Sequence, residues 1–376
     1  MNKKTFKHSL IILLALMLGM VSCQKEQPQV VTPLPSAAAQ FYVLNEGQYG
    51  KTPAGFNYYN KGKWTLNLFQ TANPDKTLGI TGVNAVFDNG KVYTISKQKV
   101  LLSQADAATF KEIARIEDKN NPIGVNGQAY NFCVANAQKG VLTTNQRAYE
   151  VNLSPLSIGK PLSHIDPAYC GDITKVGEYV FLINNGKLKV YKAADLSFIK
   201  ELGEAVSGFV QSKDGSLWAT NKTEFVKIDP RSLSVSRITL DKNMSVYYDD
   251  ALSVYRPATL AASLNDNALY FVSALGSGWS MTGRDIMKFD IASQKVTPFF
   301  MAPAKNLIVY GSALSVCPKT GNLYAIYTEE GWGNHYLNTA IYAIDTKTGK
   351  QIEKIPYTKE NETVYWFPTR ILFPSK

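Results

Sequence analysis

From Cys170 to Leu202 short apolar stretches alternate with polar turns, and the beat predicts four strands and three turns. Asp172 to Lys175 leads in, and Val176-Gly177-Glu178 turns. Tyr179 to Ile183 is an unbroken apolar run, followed by the turn Asn184-Asn185-Gly186. Leu188, Val190 and Tyr191 mark a third strand, and Ala193-Ala194-Asp195 precedes a fourth from Leu196 to Leu202. An unbroken apolar run implies a strand covered on both faces, whereas the outer strands alternate. One such meander cannot cover its own faces, so it must stack against copies of itself.

The copies are present. The second strand recurs as Val92 to Ile95, Val141 to Thr144, Tyr179 to Ile183, Leu217 to Thr220, Leu269 to Val272 and Leu323 to Ile326. Tight-turn residues precede most of them: Asn89-Gly90, Lys139-Gly140, Asp214-Gly215, Asp266-Asn267 and Thr320-Gly321, the chemistry that short hairpins need. A seventh copy, Phe41 to Leu44, has no first strand before it. Its missing partner is at the other end of the chain, Phe367 to Phe373. The fold expected is therefore all-β, a seven-bladed β-propeller of four-stranded antiparallel blades closed by its two termini. Residues 41 to 374 shared among seven blades give about 48 residues each, an ordinary propeller repeat.

The repeat leaves three segments to assign: a signal peptide over residues 1–22, a flexible tether over 23–40 and one propeller over 41–376. Lys3, Lys4 and Lys7 precede the apolar run Leu10 to Val21, which is too short to span a bilayer and has the flanks of an export signal. Ser22-Cys23 at its end resembles the lipobox of bacterial lipoproteins, although Met20 stands where leucine is usual. By that resemblance Cys23 becomes the first residue of the mature chain and carries its acyl groups, and several chains on one cysteine anchor stably. Gln24-Lys25-Glu26-Gln27, followed by a segment with Pro28, Pro33 and Pro35, reads as an irregular tether. The charged tract behind the cysteine resembles the surface-export signal of Bacteroidetes lipoproteins, which implies an outer-membrane protein exposed at the cell surface.

Lys3, Lys4 and Lys7 account for three charges of the net +10; the rest is dispersed over all blades with no basic run, so no nucleic-acid partner is expected. Three cysteines remain, Cys133, Cys170 and Cys317; the odd count leaves at least one thiol free, and a Cys133–Cys170 bridge is conceivable one blade apart. Enzyme chemistry is poorly represented. His164 and His335 are isolated, and no phosphate-cradling glycine loop, nucleophile elbow or EF-hand loop occurs. Neither catalytic residues, nor a metal site, nor a cofactor is expected, with Asp249-Asp250 read as a solvated turn rather than a calcium ligand pair.

Loop length carries the functional signal. Connections between first and second strands, and between third and fourth, share one face and are short. The long ones share the opposite face, where binding usually resides. They hold Tyr49, Tyr247, Tyr248, Tyr255, Arg256, Trp279, Trp332, Asn334, Tyr336 and Trp366, a composition suited to recognition of a broad or amphipathic ligand. The alternative is that these rings pack their own loops.

Phe41-Tyr42-Val43-Leu44-Asn45-Glu46-Gly47, Gly50 and Gly55-Phe56-Asn57-Tyr58-Tyr59 resemble the opening of YncE-like seven-bladed propeller lipoproteins of Bacteroidetes. The residues themselves point to a non-enzymatic binding protein, and the resemblance implies a ligand class through that family. It includes members that capture cobalamin or a related corrinoid and pass it to a TonB-dependent outer-membrane transporter. A glycan-binding or protein-interaction propeller within a surface receptor complex is the other expectation.

Overall fold

The computed structural model describes residues 40–248, 255–275, 282–331, 338–358 and 367–373. Seven four-stranded antiparallel sheets follow one another around a ring. Blade 1 holds β1 (Gln40–Asn45), β2 (Gly55–Asn60) and β3 (Lys63–Thr65), and helix α1 (Leu68–Ala72) follows it. Blade 2 holds β4 (Ile80–Asp88), β5 (Lys91–Gln98), β6 (Val100–Asp106) and β7 (Glu112–Glu117). Blade 3 holds β8 (Ala129–Val134), β9 (Lys139–Thr144), β10 (Ala148–Leu153) and β11 (Leu156–Pro161). Blade 4 holds β12 (Cys170–Val176), β13 (Tyr179–Asn184), β14 (Lys187–Lys192) and β15 (Phe198–Glu204). Blade 5 holds β16 (Ser207–Gln211), β17 (Leu217–Thr220), β18 (Glu224–Ile228) and β19 (Val235–Thr239). Blade 6 holds β20 (Leu260–Ala262), β21 (Ala268–Leu275), β22 (Thr282–Asp290) and β23 (Lys295–Phe300). Blade 7 holds β24 (Leu307–Val316), β25 (Leu323–Glu329), β26 (Asn338–Ile344) and β27 (Gln351–Thr358).

The last strand, β28 (Pro368–Leu372), completes blade 1 by pairing antiparallel with β1, Val43 opposite Ile371 and Leu44 opposite Arg370. The two ends of the chain thus close the ring, as the missing first strand required. First strands of successive blades contact one another, which makes them the inner wall of an axial channel. The second strands are buried almost throughout, as in β9, β13, β17 and β25, while the fourth strands β15, β19 and β23 are half-buried or exposed at every position. Apolar clusters lie between neighbouring blades, so each sheet is buried by the next.

Alternation of strand direction puts the first-to-second and third-to-fourth connections on a lower face and the others on an upper face. Lower turns are stiffened by aspartates: Asp106, Asp195, Asp229, Asp290 and Asp345 each accept backbone N–H bonds from residues two or three further on. In blade 2 the turn lies just beyond Gln104-Ala105-Asp106, because Asp106 both ends β6 and caps the turn.

The conceivable Cys133–Cys170 bridge is not formed. Cys133, Cys170 and Cys317 are free and buried, and Cys133 and Cys170 serve as small apolar residues of one cluster between blades 3 and 4. Burial pushes both thiols up to about 12, which removes them as nucleophiles at neutral pH.

Candidate functional site

Inner strands are sheet edges, and their side chains would ordinarily point toward neighbouring blades rather than the axis. Bulges change that. Six of the seven inner strands shift register against their neighbours: at Thr369, between Gly82 and Asn84, Ala129 and Asn131, Cys170 and Ile173, Ser207 and Val210, and Val309 and Leu314. A bulge adds a residue and re-aims the local side chain. The polar residues at these positions link sideways: Asn84 donates to Asn131 at 2.7 Å, and Asn131 to Asp172 at 3.1 Å. Asp172 also accepts from Ser207 Oγ at 3.2 Å and from the Gly208 N–H. Burial raises the pKa of Asp172, opposed by the Gly208 N–H, Tyr255, Arg370 and Ser207. Arg370 lies on blade 1, on the other side of the ring, so its field reaches Asp172 only across the channel.

Above this polar arc, Tyr255 and Arg256, ahead of β20, reach to opposite sides of the mouth. Tyr255 stacks on Tyr130 with ring centroids 5.4 Å apart and sits 6.2 Å from Tyr169. Its ring lies so close to Gly171 that a Cβ there would come within 2.9 Å, which is why blade 4 has glycine at this point. Arg256 runs the other way. Its Nε donates to Glu46 Oε1 at 2.6 Å and its Nη2 to Glu46 Oε2 at 3.1 Å. Nη2 also donates to the Tyr310 hydroxyl at 2.8 Å, and that hydroxyl donates to Glu46 at 3.0 Å. Backbone bonds fix the rest: Ala258 N–H to Ser207 Oγ at 2.6 Å, and Ser312 Oγ to the Pro257 carbonyl at 3.1 Å. Two consecutive residues thereby brace blades 3, 4, 5, 7 and 1 against one another. Lys97 is buried beside them, its pKa lowered by burial and by Arg256 and held up by Glu46.

Tyr255 and Arg256, expected as exposed recognition residues, are therefore a cross-bar inside the mouth. Tyr247 is likewise buried, in the cluster between blades 6 and 7, and Tyr248 is half-buried with Lys222 Nζ 5.8 Å from its ring centre. Tyr49 stands 69% exposed on the upper face. Trp279, Trp332, Asn334, Tyr336, Trp366, Asp249, Asp250, His335 and Cys23 lie outside the described residues. His164 stacks on Phe198 at 4.3 Å.

The upper face has a further property. Six large apolar side chains are exposed among the described residues, and four of them, Tyr49, Val125, Leu275 and Met301, are on this face. Tyr49 and Val125 are held out on ordered loops. Thr52 Oγ1 accepts the Gln48 N–H at 2.7 Å, and Gln146 Nε2 donates to the Val125 carbonyl at 2.7 Å. Rigid display of apolar side chains in water lowers the ordering cost of a contact. A cavity of about 310 Å³ lies elsewhere, at the outer rim between blades 5 and 6, lined by Leu240, Asp241, Phe289 and Lys295; it is remote from the channel. No cluster of metal-ligating side chains occurs among the described residues.

Residues 39–374 match the family model described as a domain of unknown function, DUF5074. The chain belongs to that family. Among solved structures, a dihydro-heme d1 dehydrogenase, NirN, in complex with its ligand is similar over 94% of this DUF5074 chain and 84% of its own, at 12% identity and a TM-score of 0.52. Hydrazine synthase of Kuenenia stuttgartiensis is similar over 72% of this chain and 84% of its own, at 12% identity and a TM-score of 0.50. These likenesses extend to the propeller fold alone and carry no chemistry. No curated protein matches the sequence.

Proposed function

We propose that this DUF5074 protein captures a broad amphipathic ligand on its upper face, cobalamin or a related corrinoid first among them. We propose further that it does so as an outer-membrane lipoprotein, anchored through Cys23, that passes the ligand to a TonB-dependent transporter. One observation carries the reading. Four of the six exposed large apolar side chains among the described residues, Tyr49, Val125, Leu275 and Met301, lie on the one face whose mouth the Tyr255–Arg256 cross-bar braces. A ligand there lies across the face rather than threading the channel, and a flat molecule with apolar and amide-bearing parts suits that surface. The resemblance of Phe41 to Tyr59 to the YncE-like lipoproteins supports the same ligand class. The assignment is of binding; among the described residues nothing is arranged as a nucleophile with its base.

The test is to mix the purified protein with cyanocobalamin and follow the corrin absorbance through gel filtration. Co-elution with wild type, reduced at least tenfold in affinity by Tyr49→Ala with an unchanged melting curve, is the expected result. Absence of co-elution at a hundredfold ligand excess overturns the corrinoid assignment. Retention of full affinity by both Tyr49→Ala and Val125→Ser overturns the upper face as the site.

A further inference from the structure

The charged groups at the axis are not equivalent. Glu46 and Arg256 are paired at hydrogen-bonding distance, and Asp172 accepts bonds from Asn131, Ser207 and Gly208. The Arg370 side chain has no hydrogen bond and no ion pair among the described residues, although it stands on an inner strand within the field of Asp172 and Tyr255. It is partly accessible, and burial lowers its pKa while Asp172 and Tyr255 hold it up. A guanidinium taken out of bulk water without a partner is costly, and each such group calls for an explanation.

The local backbone is built to put it there. β28 is bulged at Thr369, where Leu44 pairs with Arg370 and Asn45 with Pro368. Thr369 packs so tightly on blade 7 that a Cβ on Gly311 would fall 2.4 Å from its Oγ1, and Gly311 itself has a φ of +65°. Asp172 does not account for the arginine, because its oxygens are already occupied by neutral donors from blades 3 and 5. Above, the cross-bar closes the mouth. Below, the connections are hairpins such as Asn89-Gly90 and Gly177-Glu178, too short to reach the axis.

We infer that the axial channel beneath the cross-bar is a binding site for a small oxyanion, entering from the lower face and anchored by the fork of Arg370. The planar guanidinium offers paired N–H groups that match two oxygens of a carboxylate, phosphate or sulfate. Asn84, Asn131 and Ser207 are buried and bonded to one another and to Asp172 in the inner strands around it, and Asp172 weakens the site by its charge. The site is separate from the upper-face ligand surface and independent of it.

The experiment is to add the full-length mature protein to inorganic phosphate and to 13C-acetate and measure the 31P and 13C line widths. Line broadening that saturates with wild type is expected, for phosphate alone if the site prefers a tetrahedral anion and for both if any oxyanion serves. Arg370→Gln should abolish it, and Arg370→Lys, which keeps the charge and loses the fork, should weaken it about tenfold. Asp172→Asn should tighten binding. Should Arg370→Gln not fold, the Lys and Asn variants decide. No saturable broadening with either anion, or equal affinity in wild type, Arg370→Lys and Asp172→Asn, overturns the inference.

Discussion

At the scale of the residue, the pair Glu46–Arg256 shows what holds the mouth closed. Both side chains are about 5% exposed, so each charge depends on its partner. Glu46→Gln is expected to cost about 3 kcal/mol, the penalty of leaving a buried guanidinium without its carboxylate. The double variant Glu46→Gln with Arg256→Met should recover much of that loss, read as a positive coupling in a double-mutant cycle of urea melts. Additive losses would show that the pair is not a unit. A second residue carries the acid response. Asp214 is partly buried, which raises its pKa, yet the Ser212 hydroxyl, the Ser216 N–H and Lys227 more than offset this and bring it down to about 2. A folded pKa below the usual 3.8 means stability that is present above about pH 4 and lost as pH falls toward 2. With the side chain 33% exposed, its screened worth is about 1 kcal/mol. Asp214→Asn should lose that amount at pH 7 and converge with wild type near pH 2 in chemical denaturation.

At the scale of the element, what the sequence revealed and what it hid have separate physical causes. The second strands were legible because burial on both faces demands an unbroken apolar run, and β13 follows the run Tyr179 to Ile183 within a residue. The aspartate-capped lower turns recur as Asp106 to Thr109, Asp229 to Ser232 and Asp290 to Ser293, a signal present in the sequence and missed there. The cross-bar was not legible. Whether Tyr255 and Arg256 face water or the axis depends on Tyr130, Gly171, Glu46 and Tyr310, which come together only when the ring closes. Arg370 is hidden for the same reason: in the sequence it is one basic residue in an apolar strand, and only ring closure brings it within the field of Asp172 and Tyr255. Closure itself rests on β28. Deleting residues 367–376 removes the inner partner of β1 and exposes an apolar sheet edge. The truncated protein is expected to lose its cooperative melt and aggregate. A melting curve superimposable on that of the full chain would refute closure by β28 as a source of stability.

At the scale of the whole molecule, the two faces are unlike, and the chain enters on the plainer one. β1 runs from the lower face to the upper, so Gln40 lies on the lower rim. If Cys23 carries the anchor, the 16 residues between it and Gln40 set an upper limit of about 55 Å on the distance from anchor to propeller. Anchored so, the propeller would be biased to hold its lower face toward the bilayer and Tyr49, Val125, Leu275 and Met301 away from it. The orientation is measurable in vesicles bearing the lipidated protein and a headgroup acceptor dye. The three native thiols of the propeller are buried, so a single introduced cysteine can be labelled selectively. A donor at Ala108→Cys, in an exposed lower turn, is expected to transfer energy more efficiently than one at Tyr49→Cys on the upper face. Equal transfer from both positions would mean that the tether imposes no orientation. Stronger transfer from Tyr49→Cys would mean that the ligand face looks toward the membrane, where the ligand would have to reach it from the side of the transporter.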